Sequence, residues 1–257
     1  MKKILLLVVA AFVLTANDAF GWGKMGHDAI AYIAECHLTP KAKKTIERYL
    51  GHSIVYYATW MDEWRAEPGY EHTSAWHTAP VNDRLEYTPG AKGDVVFALE
   101  DAIAKLQDYK QQDDSTVVMS LRCIIHFVGD LHCPGHVKYA GQKGYNVYLN
   151  GDKCTYHSVW DEGIIARAHR WGYIEYAHQL DRCTKKEIRA IADGTPRDWF
   201  RENAENSRHI YELIGPGQKL DKNETKAFVN RTHEMAERQI QRAGYRLAKV
   251  LNDLFNR

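Results

Sequence analysis

The stretch RCIIHFVGDLHCPGHV, residues 122–137, sets His126 four residues ahead of Asp130, with His132 two further on and His136 four beyond that. On a helix, residues four apart project from one face one turn apart, so His126 and Asp130 can reach toward the same atom. The spacing recurs in CTYHSVWDEGI, where His157 precedes Asp161. One such pair arises readily by chance in a chain with 13 histidines. Two pairs in apolar surroundings, with His136 just past Pro134, point to metal. A carboxylate buried without a partner is costly, and a cation is the simplest partner for several at once. Imidazole nitrogen mixed with carboxylate oxygen suits zinc, whereas Mg²⁺ and Ca²⁺ favour oxygen-only sets.

The elements that must position these residues read as helices. Apolar residues recur at three- and four-residue spacing over 26–37, 40–50, 94–110, 115–132, 158–170, 172–181, 184–193, 197–213 and 222–256. Thr39 before Pro40, and Thr184 ahead of Glu187, mark two helix starts. Tyr145 to Leu149 is the one strand-like passage, and the Asn150-Gly151 that follows is a tight-turn signal. The fold class expected is all-α: a single mostly helical domain with a small β-hairpin.

Lys2 and Lys3, an apolar run from Ile4 to Leu14, and the small-residue pattern ending Ala19-Phe20-Gly21 read as a signal peptide over residues 1–21. The domain would then occupy 22–257, begin at Trp22, and be secreted or periplasmic. No later segment approaches the apolar length of a membrane helix, so no stable membrane association is expected, and a monomer is. Cleavage would remove Lys2, Lys3 and Asp18 from 34 basic and 33 acidic residues, leaving the two in balance. A protein that grips long duplexes shows a basic stripe, and this one does not. Its five cysteines are an odd number, so at least one thiol stays unpaired; a Cys133–Cys154 bridge is one open pairing.

Five stretches carry a resemblance: WGKMGHDAIAYIAE from Trp22, ATWMDEWR from Ala58, SAWHTAP from Ser74, HFVGDLHCPGHV from His126 and YHSVWDEG from Tyr156. They look like the motifs, in the same order, of the S1/P1 nuclease family. These are secreted zinc enzymes of all-α fold that cut single-stranded nucleic acid and remove 3′-phosphates. The resemblance implies three zinc ions. One would take Asp62, His77, His126 and Asp130. A second would take His27, Asp130 as bridge, and the α-amine and carbonyl oxygen of Trp22. A third would take His136, His157 and Asp161. It also implies the reaction: a hydroxide bridging two zinc ions attacks phosphorus and leaves 5′-phosphorylated products from single-stranded DNA and RNA, or acts on 3′-nucleotides. Asp62, Asp130 and Arg65 would be catalytic, with Arg65 also gripping phosphate through its planar fork. Asn146 would touch substrate.

The resemblance departs in the base pocket. Cys133 and Gly135 stand where the family has glutamine and leucine, and Thr78 and Pro80 where fungal members have base-holding residues, so base preference stays open. His132 lies off the His126 face. His37, His52, His72, His169, His178, His209 and His233 match no motif and read as surface or packing residues. Trp60, Trp76 and Trp160 adjoin ligands and read as packing. Two other function classes fit parts of the pattern. A zinc-dependent phospholipase C shares the trinuclear site and helical fold but needs a membrane-seeking surface, for which no stretch stands out. A non-catalytic zinc-binding protein needs closed four-ligand sites, whereas the third set has three.

Overall fold

The computed structural model describes residues 22–256, and helices account for most of them. The stretch read as a signal peptide, residues 1–21, lies outside the described residues. Helix α1 (Lys24–Cys36) is followed by α2 (Pro40–Leu50), which starts as its sequence demands: the Thr39 hydroxyl accepts from the Ala42 amide, and Pro40 fills the first turn. A short α3 (Trp60–Trp64) and a 3₁₀ segment, Glu71–His77, lead to α4 (Val95–Gln107), capped by Asp94. Asp113 caps α5 (Asp114–His132). After the strands come α6 (Tyr156–Ser158), α7 (Ile164–Ala168), α8 (Tyr173–Leu180), α9 (Lys185–Ala192), α10 (Pro196–Ser207) and α11 (Lys222–Phe255). The Thr184–Glu187 capping box expected from the sequence opens α9, and Asp221 with Glu224 forms another on α11.

Two helices organise the core. In α5, every residue from Cys123 to His132 is buried, which explains its continuous apolar run better than a one-sided stripe would. The 34-residue α11 runs beside α1, and a Cβ at Gly244 would meet Ile33 Cγ2 at 2.6 Å, so only glycine permits that approach. His132 joins the two organisers: its Nδ1 donates to the Val128 carbonyl at 2.7 Å, and its Nε2 accepts from Arg246 of α11 at 2.8 Å. The ring therefore points away from Asp130 and serves packing.

The expected hairpin forms. Strand β3 (Asn146–Leu149) pairs antiparallel with β4 (Asp152–Thr155) across Asn150 and Gly151, both at positive φ, as a two-residue turn requires. A third strand, β5 (Lys219–Leu220), joins β3 in parallel, and a separate two-residue pair links β1 (Ala79–Pro80) to β2 (Val137–Lys138). The sequence reading gave neither. It also expected one helix over 158–170. That stretch instead winds as a π turn, Val159–Gly163, between α6 and α7. A π turn inserts a residue into the helical path and occurs mostly where a side chain must be re-aimed; this one contains Asp161.

Candidate metal centre

Helix α5 supplies the middle of the site. His126 donates from Nδ1 to the Ala58 carbonyl at 2.8 Å, which fixes the ring and turns Nε2 toward Asp130 Oδ2 at 3.0 Å. A histidine so oriented presents a free nitrogen to a cation. His77, at the end of its 3₁₀ segment, brings Nδ1 to 2.9 Å from the same Asp130 oxygen and 3.5 Å from Asp62 Oδ1 on α3. His27 arrives from α1, stacked on His126 with ring centroids 4.1 Å apart, its Nε2 3.4 Å from Asp130 Oδ1. Gly129 makes room for it: a Cβ there would lie 2.8 Å from His27 Nδ1.

Beyond α5 the chain turns at Pro134–His136. His136 sets Nδ1 3.4 Å from Asp130 Oδ1 and Nε2 3.4 Å from Asp161 Oδ1, so it faces both ends of the centre. His157 lies parallel to it, ring centroids 4.9 Å apart, donates from Nδ1 to the Gly135 carbonyl at 3.0 Å, and holds Nε2 3.1 Å from Asp161 Oδ2. The N-terminal segment closes the site. Trp22 is fully buried against Gly26, and the Gly23 amide donates to the Asp161 carbonyl at 2.8 Å.

The electrostatics of this cluster are unbalanced without a cation. Burial opposes the Asp130 carboxylate, but the charges of His126 and His136 and their contacts outweigh it and hold its pKa well below the usual range. Burial also opposes the His126 cation, yet Asp130 and Asp62 raise it to about 9. Asp161 goes the other way: burial pushes it well up, and Asp130 and Asp62 add to that push. The two aspartates part company because imidazole charge and contacts outweigh burial at Asp130, whereas burial dominates at Asp161. Burial lowers His27, His136 and His157.

Many donor atoms here are buried with no hydrogen-bond partner: both nitrogens of His27 and of His136, Nε2 of His77 and of His157, and one oxygen each of Asp62, Asp130 and Asp161. Orphaned buried polar atoms are rare and costly, and several of these face one another across the cluster. His27, His126 and Asp130 form one group able to hold a metal ion; Asp62, His77 and His126 form another; Cys133, His136 and Asp161 form a third. The residues therefore fit divalent metal of the kind that accepts nitrogen and oxygen together.

The sequence profile of the S1/P1 nuclease family matches residues 22–256. The chain belongs to that family. Endonuclease 2 of Arabidopsis thaliana is 27% identical over 295 residues, 99% of this chain and 98% of its own length. Nuclease S1 of Aspergillus oryzae is 27% identical over 176 residues, 64% of this chain and 61% of its own. Nuclease P1 of Penicillium citrinum is 29% identical over 154 residues, 54% of this chain and 57% of its own. Membership makes the chain a nuclease, and S1/P1 nucleases are metal-dependent.

In this S1/P1 nuclease, the aspartates and histidines that the resemblance implied come together at one centre, to which the segment after Trp22 is tied through Gly23 and the Asp161 carbonyl. Arg65 lies at its edge, Nη1 3.7 Å from Asp62 Oδ1, and its charge acts on Asp161 and His157. Asn146 is exposed on β3, paired with Thr155, which lies two residues before His157. Trp60 and Trp160 are buried as packing.

Three features of this nuclease went unread in its sequence. The thiol of Cys133 donates to Asp161 Oδ1 at 3.2 Å, and burial, with Asp161 adjacent, raises its pKa well up, so it stays a protonated donor. The five cysteines are unpaired; Cys133 is buried on Asp161 while Cys154 lies out on β4, so the bridge between them does not form. Trp64, exposed and stacked on Trp60 at 5.1 Å, immediately precedes Arg65; only its place in ATWMDEWR could have flagged it.

Proposed function

We propose that this nuclease is a three-zinc phosphodiesterase acting on single-stranded DNA and RNA and on 3′-nucleotides, leaving 5′-phosphates. The observation that carries the reading is the convergence of His27, Asp62, His77, His126, Asp130, His136, His157 and Asp161, with buried nitrogen and oxygen atoms among them left unpartnered. Asp62, His77, His126 and Asp130 would hold the first ion. His27, Asp130 and the Trp22 amine and carbonyl would hold the second, and His136, His157 and Asp161 the third. Zinc so bound supplies water acidic enough to attack phosphorus at neutral pH, together with positive charge for the phosphate.

The protein's own groups prepare that chemistry. Asp130 turns Oδ2 to His77 and His126 and Oδ1 to His27 and His136, so it would contribute to holding both neighbouring ions. The Ala58 and Gly135 carbonyls hold His126 and His157 in the tautomer that frees Nε2. Arg65, beside Asp62, offers two parallel N–H donors to a phosphate. The exposed Trp64 ring offers a face on which a base can stack, which an unpaired strand permits and a duplex does not. Ligation by the Trp22 amine requires removal of residues 1–21, so export to the cell exterior or periplasm would also complete the active site. No partner subunit is required, and the active form would be a monomer.

The test incubates zinc-loaded protein beginning at Trp22 with a single-stranded oligonucleotide and, separately, with phosphatidylcholine, and identifies product ends by mass. Nucleotides bearing 5′-phosphates support the proposal. Intact oligonucleotide with phosphocholine release would move the activity to a phospholipase C, and no product from either would favour a binding protein.

A further inference from the structure

His169 and His233 match no motif of the family, and the sequence offered no role for them beyond surface or packing. The fold nevertheless brings both onto one carboxylate. His233 and Glu237 lie one turn apart on α11, Nδ1 3.3 Å from Oε2. His169 follows the end of α7 in extended conformation and sets Nε2 3.0 Å from Glu237 Oε1. The three ligand atoms lie within 4.8 Å of one another.

The contact between His169 and Glu237 is not a hydrogen bond. At 3.0 Å the distance would allow one, yet Oε1 is buried without a hydrogen-bond partner, so the nitrogen and the oxygen are not aligned donor to acceptor. His157 Nε2 and Asp161 Oδ2 in the main centre show the same relation at 3.1 Å, both atoms unpartnered. Two lone pairs aimed past one another suit a shared cation. Among the described residues no lysine or arginine is paired with Glu237, which leaves the two imidazoles as its polar partners.

The ligand positions are held in advance. Trp171 stacks on His169 with centroids 3.7 Å apart, and Tyr176 meets both rings at an edge. Tyr176 is itself anchored by donating to the Ile165 carbonyl at 2.6 Å. The side chains of His169, His233 and Glu237 are 29%, 23% and 14% exposed, so an ion can enter from solvent and keep a water.

We propose that His169, His233 and Glu237 bind a further transition-metal ion of the zinc class, separate from the catalytic centre. Two imidazoles and a carboxylate form a recurrent zinc ligand set. The ion would tie the segment after α7 to α11. Because only α7 separates that segment from the π turn carrying Asp161, the clamp would steady the turn from outside the centre while touching no substrate.

The test strips the purified protein with chelator, reloads it with Zn²⁺, removes free metal, and counts zinc per chain by elemental mass spectrometry. Wild type is compared with His233→Ala and, should that variant fold poorly, with Glu237→Gln and His169→Gln. The expected result is one ion fewer in each variant, with the nuclease rate within about twofold of wild type. The readout is the difference between variant and wild type, so it stands whatever number the main centre holds. Independently, Cu²⁺ added to the zinc-loaded variants and to wild type should quench Trp171 fluorescence in wild type only, and Trp171→Phe should abolish that component. Equal zinc content in wild type and variants, or equal quenching, would reduce the triad to a hydrogen-bonded packing cluster and overturn the proposal.

Discussion

Gly129→Ala tests how tightly the centre is built. A Cβ on Gly129 would stand 2.8 Å from His27 Nδ1 and 2.9 Å from Cε1, whereas ordinary contact begins at 3.4 Å. The His27 ring must therefore give by about 0.6 Å, and metal–ligand distances tolerate only about 0.2 Å. It cannot slide freely, because His126 is stacked on it at 4.1 Å. Two effects on stability oppose each other in the metal-free protein. Alanine in a helix gains about 1 kcal/mol over glycine, and overpacking costs about 1–3 kcal/mol. The net cost is roughly 0–2 kcal/mol, a shift of a few degrees in Tm, while misplacement by about an ångström can cost about 100-fold in rate. The variant should thus fold, lose the ion that His27 helps hold, and lose about 100-fold in single-strand cleavage. Thermal melting with and without chelator, zinc content and initial rates on an oligonucleotide read all three. Wild-type zinc content and rate in a folded Gly129→Ala protein would refute the argument.

Asp130→Asn should leave turnover below about a tenth of wild type if, as proposed, its carboxylate serves two ions; a higher rate with full zinc content would count against the bridge. One extra residue before Trp22 should lower zinc content and activity together, and an unaffected extended form would remove the amine from the ligand set. Arg65→Lys should reduce kcat/KM on oligonucleotides by roughly 30-fold, about 2 kcal/mol, by losing a two-pronged phosphate contact; an unchanged value would place Arg65 outside substrate contact. In the metal-free protein, burial opposes the His126 cation but Asp130 and Asp62 raise its pKa from 6.5 to about 9, so at pH 7 it carries a proton that metal must displace. Zinc affinity should rise as pH increases from about 6 to about 9, and calorimetry in buffers of different ionisation heat should detect the released proton at pH 7. Buffer-independent heats would contradict that protonation state.

Helical periodicity carried the fold well because α5 and α11 are long and their apolar residues recur at helical spacing. The pair His126/Asp130 was legible for the same reason, and His157/Asp161 because residues four apart still meet at 3.1 Å across the π turn. Asp62 and His77 were not, since they sit on a five-residue helix and a 3₁₀ segment with no period to read; only the resemblance pointed to them. The π turn escaped because inserting one residue leaves the apolar pattern nearly intact. Gly129 and Cys133 act on residues far away in the chain or on another element, which no single-sequence pattern encodes. His233-x-x-x-Glu237 did have the helical spacing, and His169 completes it only through the packing of α7 against α11.

The backbone bond from Gly23 to the Asp161 carbonyl imposes an order on assembly. It joins Gly23 to a residue past the middle of the chain, and contacts of such long range form only after a costly loop closure. A chain halted before residue 161 would hold His126 and Asp130 yet lack the strut that seats Gly23. A centre that relies on this strut is complete only once residue 161 has been made and packed against Gly23.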